Sequence, residues 1–497
     1  QTGILMPISS LPGNQGIGDF GKHTYRLIDA ISKQNIRIWQ ILPLNPVGYG
    51  NSPYQPFSSY AGDDLYISVD TLADYGLLKQ SSIRNYNKFS EAVDFDGVRA
   101  FKAPYLKKAY KTFLKMQDSF AQEYQLFCST AEWLYPYAVF ITLKKHNHMA
   151  SWTEWPKEQR EWIRNRRFSL KEFEEDIRYE QFLQFIFYKQ WKEVKSYANA
   201  HGVEIMGDLP FYVGLDSADV WQHQEDFLLD GQGNPSHIAG VPPDYFSDDG
   251  QRWGNPIYNW KQMKKDHYDF WMERLAWNQQ QYDIIRLDHF RAFDTYYAIP
   301  AGAPNARTGT WEKGPGMALF RALRAQLGEA PIIAEDLGEM FDSVRVLLRD
   351  SGCPGMKVLQ FAFAPGEDSE YLPHNYPVHC VAYPGTHDNT TAAGWLAGAE
   401  PDEAAKAKAY LGLNKAEGLV RGFVRGVLAS PAELAVVPMA DWLGLGEEGR
   451  INTPGILGGG NWAWRCPSGA FTPALAADIR ARCQVFGRCA GALAQGG

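Results

Sequence analysis

Eight short β-rich runs, each closing on polar, Gly or Pro residues, recur along this chain at 3–9, 36–42, 203–209, 282–287, 331–334, 357–363, 378–383 and 434–439. Helical patterns lie between most of them. Parallel strands cannot be joined by a tight turn and need a crossover, usually a helix. An eightfold strand-helix alternation therefore predicts an α/β fold, a (β/α)8 TIM barrel with its chemistry at the C-terminal strand ends. A doubly wound sheet would need a Gly-rich phosphate turn directly after its first strand. Residues 13–18 (GNQGIG) resemble one only superficially, because no helix-opening G-x-G-x-x-G follows on the strand.

The spacing of the runs is uneven. Roughly 160 residues separate the second from the third, far more than one crossover helix needs. One barrel over 1–497 is expected, with a mainly helical subdomain inserted at 62–200 between strands two and three. Apolar and charged residues recur there at helical intervals over 105–117, 132–145 and 171–198. A second insertion, 216–262, reads as an aromatic loop (Trp221, Tyr245, Phe246, Trp253, Tyr258, Trp260), and loops of that length inside a compact domain are usually functional. After about residue 390 the composition turns Ala, Gly and Arg rich. The eighth run lies beyond this shift, which is therefore read as a coding bias or a join between sequences and not as a domain edge.

Hydrophobic residues make up 45% and charged residues 21%, the balance of a chain that buries a large core. The net charge of -8 and the absence of a long basic run argue against nucleic acid as a partner. No apolar run approaches the length that spans a bilayer, and the front of the chain lacks a signal-peptide profile, so a cytoplasmic location is expected. Because the chain opens on Gln1, a segment is expected to have been trimmed from it. The six cysteines form no C-x-x-C pair and are read as reduced thiols. The aromatic content, 14% with 16 Trp and 26 Tyr, suits both large cores and the stacking of sugar faces.

Chemistry concentrates at three strand ends. They read Arg286-Leu287-Asp288-His289, then Ala334-Glu335-Asp336, then Thr386-His387-Asp388-Asn389. Strand side chains alternate and neighbouring strands lie about 4.8 Å apart, so Arg286 and Asp288 share a direction. Asp288 and Glu335 on adjacent strands are then expected about 5 to 5.5 Å apart, the separation of a retaining glycosidase pair. Arg286 favours a charged Asp288, suited to a nucleophile, while the negative Asp288 raises Glu335 and keeps it protonated as the acid.

Longer motifs make the chain recognisable. They include Ser10-Leu11-Pro12-Gly13, Tyr49-Gly50-Asn51-Ser52-Pro53-Tyr54, Gly207-Asp208-Leu209-Pro210, Asp216-Ser217-Ala218-Asp219-Val220-Trp221 and Gly240-Val241-Pro242-Pro243-Asp244-Tyr245-Phe246. The 286–293 segment, Trp-Glu-Lys-Gly-Pro-Gly at 311–316, 334–338, 385–389 and Asn452-Thr453-Pro454-Gly455 complete the series. Nearly end to end, the chain resembles the 4-α-glucanotransferases (amylomaltases, disproportionating enzymes) of the α-amylase clan. The resemblance implies transfer of α-1,4-glucan segments between malto-oligosaccharides by retaining double displacement. It also implies Asp288 as nucleophile, Glu335 as general acid and base, and Asp388 as a third carboxylate that holds sugar hydroxyls. By the same resemblance Arg286, Asp208 and His387 support the substrate, and Tyr54, Tyr245, Phe246, Trp253 and Asn461 line subsites. A plain α-1,4-glucan hydrolase and a non-catalytic glucan-binding protein are the alternatives, although a binding module has no need of an acid and a base at transfer spacing.

This chain has Ala292, Thr390 and Ala393 where that family usually carries Gly, an acidic residue and Arg. Asn389-Thr390-Thr391 matches a glycosylation sequon within the expected site and is read as coincidence. Gly458-Gly459-Gly460 lacks the Lys of a phosphate loop, and Asp63-Asp64 and Asp248-Asp249 lack calcium-loop spacing. No metal or cofactor is expected.

Overall fold

The computed structural model describes residues 1–86, 91–243, 248–366 and 368–489. Eight strands form one parallel sheet: β1 Thr2–Leu5, β2 Ile38–Gln40, β3 Glu204–Leu209, β4 Ile284–Leu287, β5 Ile332–Ala334, β6 Gly355–Val358, β7 Cys380–Tyr383 and β8 Leu434–Pro438. Their order is β6-β7-β8-β1-β2-β3-β4-β5, so neighbours in sequence are neighbours in space and β1 pairs with both β2 and β8. The remaining joint, β5 to β6, is stitched by Ala334 N–H to Pro354 O (2.9 Å) and by Met356 N–H to Asp336 Oδ1 (2.6 Å). Gly355 permits this approach, since a Cβ there would lie 2.6 Å from the Asp336 carboxylate. The sheet is thus a nearly closed (β/α)8 barrel.

Helices run into most strands and pack on the sheet through one face. Lys22–Lys33 buries Leu27, Ile28 and Ile31 ahead of β2, and Leu419–Leu428 buries Phe423, Val424 and Val427 ahead of β8, the i, i+1, i+4 spacing of an apolar stripe. Asp269–Gln281, Met317–Leu327 and Asp342–Ser351 lead into β4, β5 and β6. Between β2 and β3 lie five longer helices, Val69–Asp74, Phe95–Phe113, Gln117–Thr130, Leu134–His146 and Glu174–Ala200. Their buried rings (Phe113, Phe140, Phe182, Phe187, Trp191) belong to the same apolar cluster as the barrel strands. None of the helices is long and apolar enough to cross a membrane, among the described residues.

Three elements differ from the sequence reading. The helix expected over 105–117 begins at Phe95 and ends at Phe113. Pro104 inside it removes a backbone donor and masks the first two turns, while Asp94 caps the true start through Gly97 N–H. The run at 357–363 holds only the end of a strand: β6 starts at Gly355, and Leu359–Ala362 form a buried 3-10 turn. A continuous apolar run carries no periodicity that separates the two. Within 216–262, finally, His237–Val241 and Gln251–Pro256 are strands and not loop. With Thr295–Pro300 and Thr310–Lys313 they make an antiparallel four-stranded sheet beside the barrel. Asp63 and Asp64, for their part, form ion pairs with Arg99 at 2.7 and 3.0 Å.

Candidate active site

Local sequence puts four charged groups on adjacent strand ends. On β3 and β4, Asp208 and Arg286 are direct register partners, and the β4–β5 ladder pairs Leu287 with Ala334. Pairing continues one residue past the strands: Asp288 N–H donates to Leu209 O (3.1 Å) and Glu335 N–H to Leu287 O (3.0 Å). Asp288 and Glu335 therefore stand opposite each other on the C-terminal rim, as the alternation of strand side chains requires.

Arg286 is the hub. One guanidinium nitrogen donates to both oxygens of Asp208 at 2.8 Å and to Asp288 Oδ1 at 3.2 Å. The Asp208 and Arg286 side chains are 0% and 3% exposed, so the pair is held without solvent screening. Tyr54, from the loop after β2, donates its phenol to Asp208 Oδ2 (2.9 Å). Burial raises its pKa well above that of an ordinary phenol, which keeps the proton on it. The phenol has one hydrogen, so its contact with His387 Nε2 (2.9 Å) makes the imidazole the donor and fixes the Nε2–H tautomer. Burial lowers the His387 pKa and holds the ring neutral. The two rings are stacked, 5.3 Å apart and 10° from parallel. His387 Nε2 also lies 3.4 Å from Asp388 Oδ2.

Glu335 is held differently. Its two oxygens accept from backbone donors, Oε2 from His289 N–H (2.7 Å) and Oε1 from Leu337 N–H (2.9 Å). His289 reaches that position through a left-handed backbone, φ +49°. Burial pushes the Glu335 carboxyl up to about 8; Arg286 opposes the rise and the negative Asp288 adds to it. Asp288 is pushed up to about 7 because burial, with Asp208 and Asp388, outweighs the pull of Arg286. The sequence reading credited Arg286 with keeping Asp288 charged; the guanidinium acts in that direction but does not offset burial. Glu335 remains the group that holds its proton to higher pH.

Other expected residues fall into place unevenly. Trp253 is half-buried, edge-on to the His289 ring at 4.9 Å, and its carbonyl accepts from Gln55 Nε2. Asn461 does not join the network. Its amide closes its own loop, accepting from Thr453 N–H and donating to the Thr453 and Ile456 carbonyls. Tyr245 and Phe246 lie outside the described residues. Below the rim, Tyr383 on β7 donates to Gln40 on β2 across the barrel interior (2.8 Å). Asn389 uses its side-chain oxygen to hold Thr386 N–H and Oγ1, and Thr390 bonds Glu447. The sequence reading gave no part to Asn452 or His289, although both stand in motifs it singled out.

A nearly closed parallel barrel with three carboxylates, a buried Arg and a neutral His gathered on its C-terminal rim defines an enzyme class that works on glycosidic bonds. Residues 6–471 match the family described as 4-alpha-glucanotransferase. A 4-alpha-glucanotransferase of Streptococcus pneumoniae is 43% identical over 488 residues, 96% of this chain and 95% of that protein. That of Thermus thermophilus is 39% identical and covers 98% of both. The amylomaltase of Streptococcus agalactiae, solved in complex with acarbose, superposes with a TM-score of 0.94 at 36% identity, over 98% of this chain and 99% of that one. The chain belongs to the 4-alpha-glucanotransferase family.

Proposed function

We propose that this enzyme moves α-1,4-glucan segments between malto-oligosaccharides through a covalent β-glycosyl–Asp288 intermediate. The observation that carries the reading is the difference in how the facing carboxyls are held. Asp288 lies against a guanidinium, whereas Glu335 is buried, raised above Asp288 and aimed by two backbone N–H groups. In the first half-reaction an Asp288 oxygen bonds to the anomeric carbon as the glycosidic C–O bond breaks, and Glu335 gives its proton to the departing oxygen. In the second, the 4-hydroxyl of an acceptor glucan attacks that carbon, Glu335 takes the proton, and Asp288 is released. Two inversions give net retention. Asp388, reached by His387 and open to solvent on one side, holds sugar hydroxyls.

Support for transfer over hydrolysis comes from the family's name and from the Trp253 ring, edge-on to the ring of His289, whose backbone N–H holds Glu335. Water and sugar compete for the same intermediate, so transfer dominates only where an acceptor is held in line. The inserted segment 216–262, which carries Trp253, is proposed as the part of the chain that walls the acceptor side, and 62–200 as a helical subdomain packed on the barrel. We propose a cytoplasmic location for the activity.

The test counts chain ends. Incubated with maltotriose, the enzyme is expected to give glucose and a ladder of longer oligomers while total reducing ends stay nearly constant. Reducing ends that climb in step with maltotriose loss from the earliest times would mark a hydrolase and overturn the proposal.

A further inference from the structure

Each of the three rim carboxylates has its own holder, and the third holder is remote in sequence. Arg286 fixes Asp288, and two backbone N–H groups fix Glu335. Asp388 is the most open of the three, its side chain 42% exposed, and its approach to the neutral His387 ring is long at 3.4 Å. Its short bond comes from Asn452, whose Nδ2 donates to Asp388 Oδ1 at 2.7 Å. A carboxylate can only accept, so the Asn452 amide must present its nitrogen here.

Asn452 is itself immobilised. It is buried, its N–H donates to His387 O (3.1 Å), and its carbonyl accepts from Arg450 Nε (2.9 Å). Two residues further back Arg450 pairs with Glu447, and Glu447 receives the Thr390 hydroxyl. The segment 447–452 after β8 thus lies along 387–390 after β7 as a strap, tied at both ends. With Oδ1 taken by the strap, the Asp388 carboxylate turns Oδ2 toward His387.

We infer that Asn452 is a positioning residue of the transfer reaction, fixing the orientation of Asp388 through the strap 447–452. The inference rests on the role proposed above for Asp388. Without the amide, an open carboxylate samples several rotamers, and each sugar contact made in the transition state must then be ordered at the moment of reaction. Misplacements of about 1 Å cost on the order of 100-fold, and an interaction realised in the transition state appears in kcat more than in KM.

The experiment compares Asn452→Ala, Asn452→Asp and Asp388→Asn with the parent in maltotriose transfer, with thermal unfolding as a check on folding. Asn452→Ala is expected to lower kcat roughly 10- to 100-fold with KM changed little. Asn452→Asp keeps the shape and gives a sharper readout. Two carboxyls placed where this amide and Asp388 now meet share one proton at low pH, which restores the hydrogen bond to Asp388; as pH rises that shared proton is lost, both groups are ionised, and their repulsion turns Asp388 away. Plotted against pH as a fraction of the parent rate, Asn452→Asp should therefore recover toward acid and fall toward alkali, while Asn452→Ala stays flat. Parent-like kcat in Asn452→Ala, or an Asn452→Asp ratio with no pH dependence, would overturn the positioning role. A fully active Asp388→Asn would instead remove the reading on which the inference rests.

Discussion

At the scale of single residues the enzyme separates two carboxyls by environment. With the roles proposed above, activity needs Asp288 ionised and Glu335 protonated, so the rate should rise with pH as Asp288 titrates near 7 and fall as Glu335 titrates near 8, a narrow bell belonging to the pair as a unit. Glu335→Gln should slow maltotriose transfer by roughly 10²- to 10⁴-fold. With a glucosyl fluoride donor, whose leaving group needs little protonation, the alkaline limb should vanish in that variant and the sugar should accumulate on Asp288. Mass spectrometry of the quenched protein locates the adduct, and a label on another carboxylate would displace Asp288 as nucleophile. The same burial acts on stability. A carboxyl whose folded pKa is raised contributes stability below its unfolded pKa of about 4.5 and loses it as pH rises toward 8. The melting temperature of Glu335→Gln relative to the parent should therefore climb between pH 4.5 and 8 and level off above, which a melting series checks. Arg286, Asp288, Glu335 and Asp388 stood out in the sequence because charged residues at the ends of β-rich runs must either cap something or face a site, whereas Asp208, Tyr54 and His387 were singled out only through the resemblance to the family. Asn452 did not stand out. Its role arises from the return of a loop across the neighbouring strand end, and no local spacing encodes that. Neither does any signal in sequence show that Asn461 would turn its amide inward.

Among the elements, the four-stranded sheet sets the side wall of the site. Gln251–Pro256 carries Trp253 and pairs with His237–Val241, where Gly240 is pinched from both sides: a Cβ would lie 2.1 Å from Gln251 O and 2.5 Å from Ile299 Cδ1. Gly240→Ala must push these strands apart and move Trp253 off the His289 ring. Both Gly240→Ala and Trp253→Ala are expected to lower transfer several-fold and raise the share of hydrolysis, read as new reducing ends per maltotriose consumed. An unchanged share accompanied by a lower melting temperature would mean that the sheet only anchors the chain. The barrel strands were legible because each is a short, buried, branched run between turn residues. The side sheet was hidden for the opposite reason: His-Ile-Ala-Gly-Val and Gln-Arg-Trp-Gly-Asn-Pro hold Gly and Pro, and the burial of Gln251–Pro256 follows no clean period of two. Pro104 concealed the start of a helix in the same way, by carrying a local signal that packing overrides.

Taken as a whole, the molecule is a ring whose first and last strands meet. β1 gains one ladder from β2, close by in sequence, and the other from β8, with Thr2 opposite Ala435. Arg488 reinforces the joint, donating to the carbonyls of Leu428 and Ser430 and to that of Gln1. Strand count and order could be anticipated from alternation alone, since right-handed crossovers of successive strands leave few other arrangements. The meeting of the ends has a price in time. A ribosome delivers β1 well before β8, so until 434–438 emerges β1 lacks one of its two partners, and so does β7 once it has emerged. Open edges of this kind recruit other chains, and contacts between distant parts of a sequence form slowly. A nascent or prematurely terminated copy that stops short of 434–438 therefore has two sticky seams and no way to close them, and the hazard to this protein in a crowded cell falls during its manufacture more than during its working life.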